Sequence, residues 1–328
     1  TTINVPDVLM LYRECDPSVR FFVAGDEKTP VETKNYVETL GNARYIPPAE
    51  QKRWACSDPI GWNCIQRRNI ATLEALEWGA AIIVFIDDDN IPLDLSYFDY
   101  FTARLNYSFS GPLVHGFAHW FDPGCLLRPP VKHRGFPFEG KYHWGVKPVR
   151  DATIGVCAGM CLGDPDIDAI TRIAMEPQVH GVVELARSGV VIDEFTTTVF
   201  NSQNTGFRRK WAPALFMMPG VGRYDDIFAS LICQRLMRIE HEVVHIGQPF
   251  VHQDRNAHNL VKDLRAELLG LEYVQHFAEW LDHLMIPPDA DVLAQVDFVY
   301  DEMGAISWIP EQTVEAGLAW VRDLEKVL

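Results

Sequence analysis

The stretch Ala80–Asp94, AAIIVFIDDDNIPLD, constrains this chain more than any other. Apolar, mostly β-branched residues run straight into three consecutive aspartates, Asp87, Asp88 and Asp89. The run predicts a buried strand. Its end gathers three like charges, and desolvating adjacent carboxylates costs several kcal/mol unless a positive group neutralises them. Two settings satisfy that requirement: a divalent cation held by the carboxylates, or a solvated turn.

The flanking sequence alternates strand and helix. TTINV reads as a strand cut near its start, followed by a helix through DVLMLYREC. VRFFVAGD is a second strand that ends at Gly25–Asp26, and ARYIPP a short third one stopped by its prolines. Asp58 and Pro59 predict a helix start, and Ile65, Asn69, Leu73 and Leu76 keep helical spacing up to a C-cap at Gly79. This alternation predicts an α/β fold with a mostly parallel sheet and helices on both faces. Such sheets bind ligands outside the carboxyl ends of their strands. Asp26 and the three aspartates both fall there, so they are expected to line one crevice.

From about Phe101 to Phe250 the chain is rich in aromatics, Gly and Pro, which predicts an irregular α+β region building a binding surface onto the sheet. Leu264, Leu268, Leu271, Val274, Leu281 and Leu284 then mark a long amphipathic helix, and EQTVEAGLAWVRDLEKVL another. We therefore expect a catalytic domain over 1–260 and a C-terminal helical extension over 261–328, serving as a cap or a homo-oligomer contact.

Composition removes several classes. No apolar run approaches the ~18–20 residues of a membrane span. A net charge of −16 argues against nonspecific binding to nucleic acid or anionic membranes. Seven cysteines without a CxxC pair or Cys/His array predict a reduced, cytoplasmic protein. No signal or transit segment is visible, and the start TTINVPD, without methionine, suggests that a short leader is missing from this numbering. Neither GxxxxGK[ST] nor GxGxxG occurs, which excludes a P-loop and weakens a dinucleotide site.

The D-x-D spacing in FIDDDN suits Mg²⁺ or Mn²⁺, hard cations that take carboxylate oxygens and leave further positions to substrate phosphates. Such a metal neutralises charge on a departing nucleoside diphosphate. Here the chain resembles the nucleotide-sugar glycosyltransferases of the GT-A fold. More narrowly, it is similar to the reversibly glycosylated polypeptides, also called UDP-arabinopyranose mutases. The motifs that carry the likeness are VAGDEKT, FIDDDN, WFDP (Trp120–Pro123), HRGFPF (His133–Phe138), GVGRYDDIFAS (Gly220–Ser230) and PFVHQDRNAHNLVKDL from Pro249. They follow the family's order across roughly residues 20 to 265; the C-terminal helices carry no part of it.

The resemblance implies a Rossmann-like GT-A sheet and a set of roles. Asp87 and Asp88, with Thr2 in the opening segment, belong to the nucleotide-binding group, and Asp89 is the stronger metal ligand. His252 matches a histidine that completes the metal shell; as a lone histidine it equally serves as a structural hydrogen-bonder. Asp26 is expected to accept from base or ribose, or else to be a turn residue. Arg67 and Arg68 reach toward diphosphate or sugar, one of them reading instead as a solvated helix charge. Asn204 is placed at the donor sugar. Asp225 and Asp226 precede a helix, where they are either caps or catalytic carboxylates. Asp226 is the preferred base, with Asp225 orienting sugar. Arg134 aligns with the arginine that the family glycosylates. Its other reading is a diphosphate or carboxylate clamp, favoured here because a charged guanidinium is a poor nucleophile.

These expectations converge on a metal-dependent glycosyltransferase that uses a nucleotide sugar, UDP-linked, and an unidentified acceptor. The alternatives are a UDP-sugar pyranose/furanose mutase and a noncatalytic nucleotide-sugar-binding subunit.

Overall fold

The computed structural model describes residues 4–116, 120–138 and 143–328. Helix α1 (Leu9–Cys15) leads to strand β1 (Phe21–Ala24), α2 (Glu32–Thr39) and β2 (Ala43–Ile46). β1 and β2 pair in parallel, Phe21 opposite Ala43. Single helical turns follow before α3 (Arg68–Trp78). The predicted start at Asp58 yields only the turn Ser57–Ile60, because Gly61, at φ 82°, breaks the path. Gly79, at φ 97° and ψ 24°, closes α3 as expected. A left-handed C-cap of this kind suits glycine, which lacks the Cβ that penalises it.

Next come β3 (Ile82–Ile86), β4 (Asn90–Pro92), α4 (Tyr97–Asn106), β5 (Phe109–Gly116), β6 (Trp144–Gly163), β7 (Val190–Ile192), β8 (Asn204–Arg208), α5 (Asp225–Ile239) and β9 (Glu242–Gln253). The strands from β3 onward form one sheet in the order β3-β8-β6-β5-β7-β9-β4, with β9 also running along β6. That sheet is mixed. β8 is antiparallel to both β3 and β6, and β5 is antiparallel to β6. Parallel pairing joins β9 to β6 and β5 to β7. The mostly parallel sheet expected from the N-terminal alternation is therefore not what the chain builds. The Gly- and aromatic-rich middle supplies central strands, and its 20-residue β6 takes antiparallel neighbours on two sides.

Three long helices end the chain: α6 (Leu260–His283), α7 (Val292–Met303) and α8 (Glu311–Leu324). Asn259 caps α6 by accepting from the Lys262 amide at 3.0 Å, and Asp291 caps α7 through Ala294 at 2.8 Å. Val274, Phe277 and Leu281 of α6, Tyr300 of α7 and Trp320 of α8 are buried in the same apolar cluster as Phe207, Trp211 and Phe228. Trp320 stacks on Phe216 with centroids 5.3 Å apart and donates from Nε1 to the Pro213 carbonyl at 3.0 Å. Burying an indole of this size contributes on the order of 4–5 kcal/mol before entropy is subtracted. Most of the apolar stripe of α6 thus faces the chain's own core, while Leu268 stays exposed. Among the described residues no helix is long and apolar enough to cross a membrane. All seven cysteines are free thiols.

Candidate functional site

A cleft of about 370 Å³ opens at the carboxyl ends of β1 and β3. Asp26, Arg68, Asp87, Asp88, Asp89, Arg134, Asp225 and Asp226 all line it. The predicted crevice thus exists, and it brings together residues from stretches far apart in sequence.

Its first wall is the turn after β3. Arg68, on the first turn of α3, pairs with Asp87 Oδ1 and donates from Nη1 to the Ser202 carbonyl at 2.5 Å. Asp87 is thereby neutralised by the protein itself. Asp89 is not. Its nearest donors are Gln253 Nε2 at 3.5 Å and the Asn256 amide at 3.4 Å, both at the weak limit of a hydrogen bond. Burial, and then the neighbouring Asp87 charge, push the Asp89 carboxyl up to about 6. A half-buried, poorly matched carboxylate of this kind is a hard oxygen donor facing open space, which fits Mg²⁺ or Mn²⁺. Among the described residues, however, no three His, Cys, Asp or Glu side chains converge to hold a metal without help.

The opposite wall begins at the N-terminus of α5. Arg134 reaches two carboxylates: Nε lies 2.9 Å from Asp166 Oδ1, and Nη1 lies 3.1 Å from Asp226 Oδ1. Its Nη1 also donates to the Arg223 carbonyl. Burial works against the charged guanidinium, yet Asp166 and Asp226 hold its pKa well above the ordinary arginine value. For Asp166 burial is the largest single influence and acts upward, but the charge and hydrogen bonds of Arg134, together with the charges of His133 and Arg223, hold the carboxyl below the usual range. Asp226 further accepts from the Ser202 amide at 3.0 Å and hydroxyl at 3.2 Å. Asp225 has one side-chain partner, Gln66 Nε2 at 2.7 Å. Burial first, and the Asp226 charge second, push Asp225 up to about 7.

Local structure explains why these groups stand where they do. Asp122 of WFDP accepts from the His133 amide at 3.2 Å and so anchors the loop that presents Arg134. Gly222, at φ 66°, lies so close to α6 that a Cβ there would sit 1.9 Å from the Ala266 carbonyl oxygen. Tyr224 packs on Gly270 of the same helix, where a Cβ would meet the ring at 1.9 Å. Helix α6, of which the motifs reach only the first turn, thus packs directly against the segment that leads into Asp225 and Asp226.

Several assignments change. His252 is exposed, while its neighbours Val251 and Gln253 are buried. Side chains alternate along β9, so the strand offers Gln253 to the cleft and turns His252 away. Arg67 is fully buried and does not line the cleft. Its guanidinium is held by Gln51, the Ser57 carbonyl at 2.7 Å and the Ser57 hydroxyl at 3.0 Å. Neither arginine of that pair is a solvated helix charge. Asn204 is likewise internal, donating to the Pro249 carbonyl at 2.9 Å and accepting from Tyr97 Oη at 2.7 Å. Asp26 does line the cleft, but its carboxylate already accepts from the amides of Asn63 at 2.7 Å and Cys64 at 3.0 Å. Asp225 and Asp226 are the first residues of α5, not its cap, which is Tyr224. Thr2 lies outside the described residues.

Other cleft residues had no predicted role: Asp166, Lys28 and Arg255; nor had Gln66, which donates to Asp225. Arg255 Nε and Nη1 are buried without a hydrogen-bond partner. Burial lowers its pKa from the ordinary arginine value. The run GDPDIDA, with acids at alternate positions, was the available signal for Asp166. Arg255 lies inside the motif from Pro249 but was given no role there, and Gln66 carried no signal. Set against known proteins, the chain matches no family model and no curated protein.

Proposed function

We propose that the protein is a metal-dependent glycosyltransferase that takes its sugar from a nucleotide sugar, UDP-linked, on a GT-A-type fold. The observation that carries this reading is the convergence of the stretches around Asp26, Asp89, Arg134 and Asp225–Asp226 on one cleft at the strand carboxyl ends. Parallel β1 and β2, with β3 ending in the aspartates, support the GT-A assignment. The free thiols support a reducing, cytoplasmic setting.

Asp89, with Asp88 beside it, would hold Mn²⁺ or Mg²⁺ together with oxygens of the donor diphosphate. The bound cation supplies charge neutralisation for the leaving diphosphate. Arg255 and Lys28 are the cleft cations suited to the diphosphate oxygens, and the unpaired donors of Arg255 make it the better candidate.

Asp225 is the better base. A carboxylate pushed to about 7 is poised to take a proton near neutral pH, whereas Asp226 is tied to Arg134 and Ser202. In the single-displacement form, the acceptor hydroxyl oxygen bonds to the anomeric carbon while Asp225 takes its proton. The bond from that carbon to the diphosphate oxygen breaks, its electron pair leaving with the nucleoside diphosphate. Arg134 positions Asp226 and Asp166 in this scheme. Its engagement with both disfavours covalent sugar attachment at the guanidinium, and with it the mutase alternative.

A screen of nucleotide sugars for Mn²⁺-dependent sugar release tests the proposal. Release from at least one UDP-sugar is expected; binding of UDP without turnover of any donor would favour a noncatalytic subunit.

A further inference from the structure

Asp225 and Asp226 are neighbours on the first turn of α5, yet the protein gives them unlike partners. Asp226 faces the Arg134 guanidinium and accepts from the Ser202 amide and hydroxyl. Asp225 accepts instead from a neutral side-chain amide, with Gln66 Nε2 2.7 Å from Oδ2. A cation beside a carboxylate holds it ionised and weakens it as a base, whereas an amide donor fixes its orientation with a smaller pull. Environments that set two adjacent carboxyls apart in this way divide the acid–base group from the supporting one.

The side chain that makes this bond has little freedom. Gln66 lies in the helical turn Ile65–Arg67, flanked by two arginines that are each locked. Arg67 donates to Gln51 Oε1 at 2.8 Å and to the Ser57 carbonyl at 2.7 Å, and its guanidinium sits 3.9 Å from the centre of the Trp62 ring. Arg68 pairs with Asp87 and donates to the Ser202 carbonyl at 2.5 Å and hydroxyl at 2.9 Å. Just ahead of the turn, the Asn63 and Cys64 amides hold the two oxygens of Asp26. The stretch from Asn63 to Arg68 therefore touches the carboxylates after β1, after β3 and at the start of α5. With its backbone pinned on both sides, it delivers the Gln66 amide to Asp225 already in place, as a positioned catalytic group requires.

We propose that Gln66 is the positioning residue for the base of the cleft: its amide orients the Asp225 carboxyl and favours the ionised form that takes the acceptor's proton. The inference rests on the reading of the cleft as a glycosyltransferase site with Asp225 as its base. The charged groups that act on Asp225 are Asp226 beside it, Arg134 from the HRGFPF loop and Arg223 from the turn ahead of α5. A change at Gln66 leaves all three in place and alters only the neutral donor. Losing that donor disfavours the carboxylate, so the pKa of Asp225 rises; a cation in its place lowers it.

Gln66→Met keeps the length of the half-buried side chain and removes the donor, while Gln66→Lys keeps a donor and adds a positive charge. Ionisation of Asp225 is read in ligand-free protein from carbon-13-labelled aspartate carboxyl resonances, its own peak being the one lost in Asp225→Asn. The midpoint should rise by about one pH unit in Gln66→Met and fall by about one in Gln66→Lys, because one donor to a carboxylate is worth about a tenfold change in its ionisation. With a donor from the screen, the acidic limb of kcat/KM should move the same way. Gln66→Met then loses about tenfold near pH 6 and little near pH 9, with donor affinity hardly changed. The resonance titration needs no substrate, so it decides about Gln66 whatever the reaction proves to be. One midpoint shared by wild type and both variants would overturn the inference. A limb that stays fixed while the midpoint moves would overturn the assignment of Asp225 as base on which it rests.

Discussion

Arg134 and Asp226 are locked together: Nη1 and Nη2 of the arginine both lie 3.1 Å from Asp226 Oδ1. The same guanidinium holds Asp166, with Nη2 2.7 Å from Oδ2. One buried cation therefore bridges two buried carboxylates from separate segments, and the clamp expected at Arg134 closes on the protein's own acids. Truncating one partner of a buried pair costs about 3–5 kcal/mol, because the charge left behind is unpaired.

Arg134→Met should accordingly lower stability by about 3–5 kcal/mol in urea unfolding monitored by circular dichroism. A loss of donor affinity with an unchanged unfolding midpoint would instead restore Arg134 to a diphosphate-binding role.

The two helix-start aspartates should separate in the same way. Asp225→Asn is expected to cut turnover by roughly 10²–10⁴ with little change in donor affinity, since general-base help acts in the transition state. Asp226→Asn should mainly destabilise the protein, because it weakens the Arg134 pairing. Steady-state kinetics beside thermal melts distinguish the pair; equal turnover for wild type and Asp225→Asn would remove the base from Asp225.

Acidity offers a third handle. Asp89 and Asp225 are raised in the folded protein, to about 6 and about 7. Unfolded aspartate sits near 3.9. The folded state thus holds protons that the unfolded state has released, and this contribution is full below about pH 4 and lost as pH rises through the folded values. In ligand-free protein, Asp89→Asn should therefore gain stability over wild type progressively from pH 4 to 7. A constant difference across that window would mean that Asp89 is not raised. Activity should show an acidic limb near pH 7 in kcat/KM, from the need to ionise Asp225.

The sequence made the acidic half of this site legible and the rest much less so. Asp87 to Asp89 and Asp225–Asp226 stood out because clustered carboxylates at a strand end or helix start have few bland explanations. Arg67 and Arg68, adjacent in sequence, diverge in three dimensions: one braces the Gln51–Ser57 loop and the other meets Asp87. Nothing in their spacing decides that. His252 was a ligand candidate by likeness alone, and it lies on the face of β9 turned from the cleft; a shift of one residue along the strand reverses the face, and the register is set by pairing with β6 and β4. The sheet's mixed direction was hidden for a similar reason. Its antiparallel neighbours β6 and β8 come from the segment with the weakest apolar periodicity, and their order follows from long-range pairing.

Arg255 sits in the motif from Pro249, but only the fold shows its unpaired donors in the cleft. Its unpaired buried donors predict that Arg255→Ala weakens UDP binding roughly 10- to 100-fold, the worth of one charge-assisted contact. The melting temperature of the ligand-free protein should hardly change. Calorimetry showing unaltered UDP affinity would leave Arg255 as a bystander.

The most direct test of the central claim is the metal dependence carried by Asp89. Calorimetric titration of UDP into wild type and Asp89→Asn, each with Mn²⁺ and with EDTA, reads it in one experiment, alongside turnover of whichever donor the screen identifies. The account predicts tight binding and turnover only for wild type with Mn²⁺, while Asp89→Asn keeps its fold but loses both. Full UDP affinity and full turnover in EDTA would contradict it.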